Sequence, residues 1–207
     1  MIEKFCNFIL NKMRKKMPDI TDENAEIILY GLQLIIGELP KMFILFGLSF
    51  LLGIGWYMLF AFIAIIPYKA VSGGFHLHTH IGCILSTVVF FYGVIFISKY
   101  LVLNDIQKYI LVGLSFIFGI LMVSMYAPAD TEEVPILRKK ERKLKKTLSY
   151  IMLTLTLGIS LIVKAQILSN ILIVGSIFQS ISISRLAFIL TKNKYGHEVY
   201  AKQQLEN

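Results

Sequence analysis

Four stretches of this chain are long, apolar and nearly free of charge, and they decide its solvent before any motif is read. Residues 109–125 and 148–163 carry no charged side chain, 84–102 only Lys99, and 167–190 only Arg185. A helix needs roughly 20 apolar residues to cross a bilayer. Inside lipid its backbone amides must be satisfied within the segment, which selects helices. Composition agrees: 56% of the 207 residues are hydrophobic and 16% are charged, against about 25% charged in a soluble domain. The sequence predicts an all-α polytopic membrane protein.

Short polar breaks separate these runs. Asn104-Asp105-Ile106-Gln107-Lys108 divides the first pair and Lys164-Ala165-Gln166 the second. The earlier interval, residues 25–66, is interrupted by Glu38, Pro40 and Lys41 and softened by Gly53 and Gly55. Two short spans or a re-entrant hairpin are expected there. Residues 1–24 mix Phe5, Phe8, Ile9 and Leu10 with Lys4, Lys12, Arg14, Lys15 and Lys16, so they lack the uninterrupted apolar core of a signal peptide. They read as a basic amphipathic helix lying on anionic lipid, or more plainly as a solvated leader.

Charge orients the whole. Lys and Arg concentrate in cytoplasmic loops, so the leader and the basic run 137–146 should share that side. Two crossings connect the run to the polar gap near residues 68–83, which places the gap inside as well. Residues 25–66 must then cross an even number of times. The expectation is six membrane segments with both termini cytoplasmic. A leader, 1–24, precedes one membrane domain, 25–207, with a reactive loop at 68–83 and a basic loop at 127–147. The net charge of +8 then faces membrane lipid. Nucleic acid is not expected, because no binding module accompanies the basic run.

The reactive loop is Gly73-Gly74-Phe75-His76-Leu77-His78-Thr79-His80-Ile81-Gly82-Cys83. A thiol becomes a nucleophile when a base takes its proton or a cation lowers its pKa. The chain's other cysteine, Cys6, lies in the leader and reads as structural. On a continuous helix His76 and Cys83, seven residues apart, would share a face but stand roughly 10 Å apart. His80, three residues before Cys83, would neighbour it on one turn. If His76 is the base, the chain must fold back, which Gly73, Gly74 and Gly82 make feasible. Spacing leaves the choice open.

Other readings compete. Alternating His76, His78 and His80 converge on one face of a strand, where a thiolate would complete a zinc site. No carboxylate within ten residues is present to act as a general base, and no metal is expected. A small transporter or ion carrier using the same histidines is the alternative function. Against it, the spans lack midplane ionisable residues apart from Arg185 and Glu38. The plainest reading is a set of interfacial histidines beside a small buried cysteine.

The pattern Lys69-x-x-x-Gly73-Gly74-Phe75-His76 followed by Cys83 resembles AgrB, a family of bacterial membrane endopeptidases that process quorum-sensing propeptides. A second matching element is Tyr126-Ala127-Pro128-Ala129-Asp130-Thr131 with Pro135-Ile136 beyond it. The resemblance implies that His76 and Cys83 are the catalytic pair, overriding the local preference for His80. It also implies an AgrD-like propeptide substrate, a homodimer and no cofactor. Cleavage of the propeptide tail would leave a thioester on Cys83, which an internal Cys or Ser resolves into a thiolactone or lactone. Gly73, Gly74, Lys69 and Ser86 are supporting residues, with Lys69 near the thiolate or substrate and Ser86 a hydrogen-bond donor. The Cys83 amide, at a helix start, is the expected oxyanion donor. Lys69 stands where the family often has Arg, and Asp130, Glu132 and Glu133 stand where it tends to carry basic residues.

Overall fold

The computed structural model describes residues 2–17, 21–77, 79–132 and 135–206, with the side chains of 2–4, 23, 30, 33–35, 80 and 202–206 outside the description. The elements are α1 (Ile2–Lys16), α2 (Asp22–Leu51), α3 (Gly55–Ser72), α4 (His80–Tyr100), α5 (Asp105–Tyr126), α6 (Lys139–Ile162), α7 (Gln166–Ser182), α8 (Arg185–Leu190) and α9 (Gly196–Glu206). They gather into two compact units, Met1–Gly55 and Trp56–Asn207.

In the first unit α1 packs on α2. Cys6 and Leu10, one turn apart, are buried, whereas Phe5 and Phe8 are exposed, with Lys12 Nζ 4.9 Å above the Phe8 ring. The leader is thus an amphipathic helix. α2 continues for 30 residues through Glu38, Pro40 and Lys41, where a break was expected. A proline costs one intrahelical bond, and the Glu38–Lys41 pair, at 2.6 Å, balances charge across the adjoining turn. The break falls at Gly53 instead, with φ 70. Ile54 N donates to Ser49 O and Gly53 N to Phe50 O, the paired bonds of a Schellman cap. Residues 25–66 therefore hold one long helix and most of α3, not two short spans.

Among the described residues of the chain, three helices are long and apolar enough to cross a membrane: Gly55–Ser72, Ile81–Tyr100 and Asp105–Tyr126. Gln166–Ser182 is a shorter apolar helix. The protein is an all-α, multi-pass membrane protein. In the second unit α7 packs against α4, α5 and α6, and its buried face carries Ser169, Asn170, Ser176, Gln179 and Ser180. Small polar residues let helices approach closely in lipid. Asn170 Nδ2 donates to Ser98 O and Leu101 O, satisfying carbonyls that the end of α4 leaves open.

Two local boundaries differ from expectation. The apolar run 167–190 is interrupted after Ser182; Ser184 then caps α8 by accepting from Ala187 N. The basic run forms the first turns of α6, where Glu141 and Lys145 pair at 3.3 Å. The break before α5 is as short as the sequence suggested, and Asn104 and Gln107 close a reciprocal capping box there.

Candidate functional site

The segment that bears His76 begins where α3 ends. Tyr68 OH and Ser180 Oγ lie 3.1 Å apart, and Ser72 Oγ donates to Tyr68 O. Lys69 Nζ stands 5.0 Å from the centre of the Phe90 ring, a cation–π contact. Gly73 and Gly74 follow with φ of 78 and 145, a region that L side chains rarely enter. Gly73 pairs in a parallel bridge with Ala129: Ala129 N donates to Ser72 O at 2.8 Å, and Gly74 N to Ala129 O at 3.0 Å. A Cβ at Gly73 would lie 2.2 Å from Ala129 O. The two sequence elements that carry the resemblance are therefore joined through their backbones.

Two side chains outside both elements complete the anchorage. Gln179 is fully buried and its Nε2 donates to Ser72 Oγ and Gly73 O, at 2.9 and 2.8 Å. Asn193 Nδ2 donates to His76 O at 2.7 Å. The His76 side chain is exposed and borders a cavity of about 180 Å³ with Gly73, Gly74, Ala129, Asp130 and Lys145. Cys83 is not part of that lining.

Cys83 belongs to the first turn of α4. Thr79 caps the helix by accepting from Gly82 N at 3.1 Å, as short polar N-caps do. Gly82 is helical, and its lack of a Cβ serves close approach: an added Cβ would meet Thr79 Oγ1 at 2.7 Å and Leu77 Cβ at 3.3 Å. Irregular backbone was expected at Gly82, which is helical; the positive-φ glycines of this segment are Gly73 and Gly74. Cys83 itself is half-buried. Its amide donates to Thr79 O at 2.9 Å, so it is already spent on the helix and does not serve as the expected oxyanion donor. Amides still open in that turn lie before Gly82. The hydroxyls of Ser86 and Thr87 both donate to Cys83 O, at 3.0 and 2.9 Å. Ser86 thus holds the backbone that carries the thiol. His78 and the His80 side chain fall outside the described residues.

Asp130, which stands where the family tends to carry a basic residue, follows the bridge directly. Its side chain is fully buried, 2.8 Å from His197 Nδ1 and 3.1 Å from Arg142 Nη1. Ile136 N and His197 N both donate to its Oδ2. Burial alone raises the carboxyl's pKa, but the Ile136 amide, the His197 ring and the Arg142 guanidinium outweigh it and hold the pKa below the ordinary aspartate value. Asp130 therefore ties the Ala127–Pro128–Ala129 segment to α6 and α9. Glu132 pairs with Lys194 at 3.7 Å, and Glu133 lies outside the described residues. Gln179, Asn193, Arg142 and His197 escaped the sequence reading. Only Asp130, a carboxylate inside a recognised element, signalled that some cation must face it.

The family model for AgrB, Accessory gene regulator B, matches residues 6–183. A putative AgrB-like protein of Listeria welshimeri is 28% identical over 200 residues, covering 96% of this chain and 94% of its own. An accessory gene regulator protein B of Staphylococcus aureus strain JH9 is 29% identical over 158 residues, covering 76% of this chain and 81% of its own. No solved structure matches the chain.

Proposed function

The chain belongs to the AgrB family, and from that premise we propose that it is a membrane-embedded cysteine endopeptidase acting on a quorum-sensing propeptide. Family membership supports a protease-like processing role at the membrane in general terms. The finer reading takes Cys83 as nucleophile, His76 as base and a short AgrD-like propeptide as substrate. The observation that carries it is the anchored turn at Gly73 and Gly74, which ends the apolar helix α3 and presents His76 at a cavity seven residues before the thiol.

His76 removes the Sγ proton of Cys83, and the thiolate attacks the carbonyl carbon at the last residue of the future ring. The tetrahedral oxyanion collapses and the C–N bond breaks. The proton held by His76 passes to the leaving amine, so the acidic tail departs with a new N-terminus. The rest of the peptide remains as a thioester on Cys83. An internal Cys or Ser of the propeptide attacks that thioester, releases Cys83 and closes a thiolactone or lactone. The thioester keeps its acyl-transfer potential without ATP as long as water is held away. In this reading Gly73 and Gly74 shape the turn, Ser86 steadies the Cys83 carbonyl, and Lys69 supplies positive charge close to α4. A homodimer belongs to the same reading; cross-linking in membranes that yields only monomer would remove it.

Thioester trapping tests the chemistry. Cys83→Ala and Cys83→Ser should lose both the trapped thioester and cleavage while inserting normally, and Cys6→Ala should retain both. Equal loss from Cys6→Ala at normal expression would overturn the assignment. The orientation proposed here has six segments with both termini and the site cytoplasmic. A cysteine introduced at Thr79 should then react with an impermeant maleimide in inverted vesicles only. Labelling from outside intact cells would reverse that topology.

A further inference from the structure

A second cavity, of about 360 Å³, lies between the end of α5, the first turns of α6, and the α8–α9 region. Arg142, Lys143, Lys146 and Arg185 line it against a single carboxylate, Glu198. Two of these cations are compensated: Arg142 by Asp130 at 3.1 Å and Arg185 by Glu198 at 3.7 Å. Lys146 Nζ donates at 2.6 Å to the neutral carbonyl of Ser124. Lys143 has no ion-pair partner among the described residues. Among the described residues the cavity therefore holds two ammonium groups without counter-charge, an arrangement whose potential favours an anion.

Its position in the helices narrows the anion. The apolar run of α5 ends at Tyr126, and that of α6 begins only after Lys146. The cations stand where hydrocarbon gives way to headgroups. An exposed apolar side chain, Met125, is in the lining itself, and Leu144 and Leu186, next in sequence to Lys143 and Arg185, are exposed on the same two helices. A ligand that satisfies both features carries an anionic head on an apolar body. Free phosphate uses only the charges and makes no use of the apolar border.

We propose that this cavity binds the phosphate head of an anionic phospholipid, with the phosphodiester between Lys143 and Lys146 and the acyl chains along the exposed residues of α5 and α8. The site is independent of the peptidase reading. The full-length protein, placed in phosphatidylcholine nanodiscs with and without phosphatidylglycerol, should retain phosphatidylglycerol when released for native mass spectrometry. Lys143→Gln/Lys146→Gln should weaken that retention about 10-fold or more. Lys139→Gln/Lys140→Gln removes the same charge from the same helix outside the cavity and should leave retention intact. Lys143→Gln alone, at an exposed position, gives the same direction with a smaller loss should the double variant misfold. Equal loss from both double variants, or no retained lipid, overturns the proposal. So does displacement of the lipid by inorganic phosphate, or by a short glutamate-rich peptide, at concentrations where phosphatidylglycerol itself is in excess.

Discussion

The two flanks of the candidate site are held by opposite means. The His76 segment is anchored from far along the chain, by Ala129, by Gln179 and by Asn193, the last two bonds joining residues 106 and 117 positions apart. Cys83 is held by its own neighbours, Thr79, Ser86 and Thr87, all within four residues. The thiol's position is a property of one capped helical turn. The position of the His76 backbone is a property of the second unit's packing, and any disturbance of α5, α7 or the turn at 191–195 reaches it.

The largest test of this contrast is at the imidazoles. His76→Ala should reduce thioester formation by at least ~10²-fold, the low end for losing a general base, and His80→Ala should cost far less. A trapping assay that finds the reverse would make His80, one turn from Cys83 on α4, the base, and the long-range anchorage would then serve something else. Next comes the anchorage itself. Gly73→Ala forces a side chain into positive φ and against Ala129 O, a strain of about 1–3 kcal/mol centred on the turn. Cleavage should fall more than ten-fold, while alkylation of Cys83 by a small reagent stays near wild type. Asn193→Ala removes the one hydrogen bond to the His76 segment, about 1 kcal/mol, together with two local ones to Thr191, leaves the bridge, and should cost only a few-fold. Loss of Cys83 alkylation in Gly73→Ala would show that the two flanks are not separable.

The smallest effect on chemistry is expected at Asp130. Its carboxyl pKa is lower in the folded state than the ordinary 3.8. The stability it contributes is therefore present above pH 3.8 and drains away as pH falls through the folded value. Asp130→Asn should lose about 1.5–3 kcal/mol at neutral pH, the range for hydrogen bonds to a charged group. The gap in melting temperature between variant and wild type should close on acidification below that point. A gap that persists unchanged in acid would mean that shape, not charge, holds the Ala127–Ala129 segment.

How far the sequence could be read follows the same division. Features written locally were legible: the apolar runs of α4, α5 and α6, the polar break before α5, and the amphipathic leader. Local rules were also where the reading went astray by position. Pro40 and its charged neighbours suggested a break, yet α2 runs through them, and Gly53 with its positive φ ended it instead. The run 167–190 looked continuous because Ser182 and Ser184 are compatible with helix; α7 nevertheless ends at Ser182, and Ser184 caps the next helix. The family motif drew attention to Gly73, Gly74 and His76 but was silent on Gln179 and Asn193. Their role exists only through partners more than 100 residues away, which no periodicity or spacing encodes. His197 lay hidden for the same reason, 67 positions from Asp130.

The Gly73–Ala129 bridge also implies an order of assembly. Chains are made from the N-terminus, and parts that depend only on near neighbours can form first. The capped turn carrying Cys83 needs nothing beyond Thr87. The turn before His76 must wait for Ala129, then Gln179, and finally Asn193 to leave the ribosome and enter the membrane. In a half-made chain the partners of the Cys83 turn are thus all present, whereas those of the turn before His76 are complete only with Asn193. The timing is a by-product of where the anchors fall in the sequence.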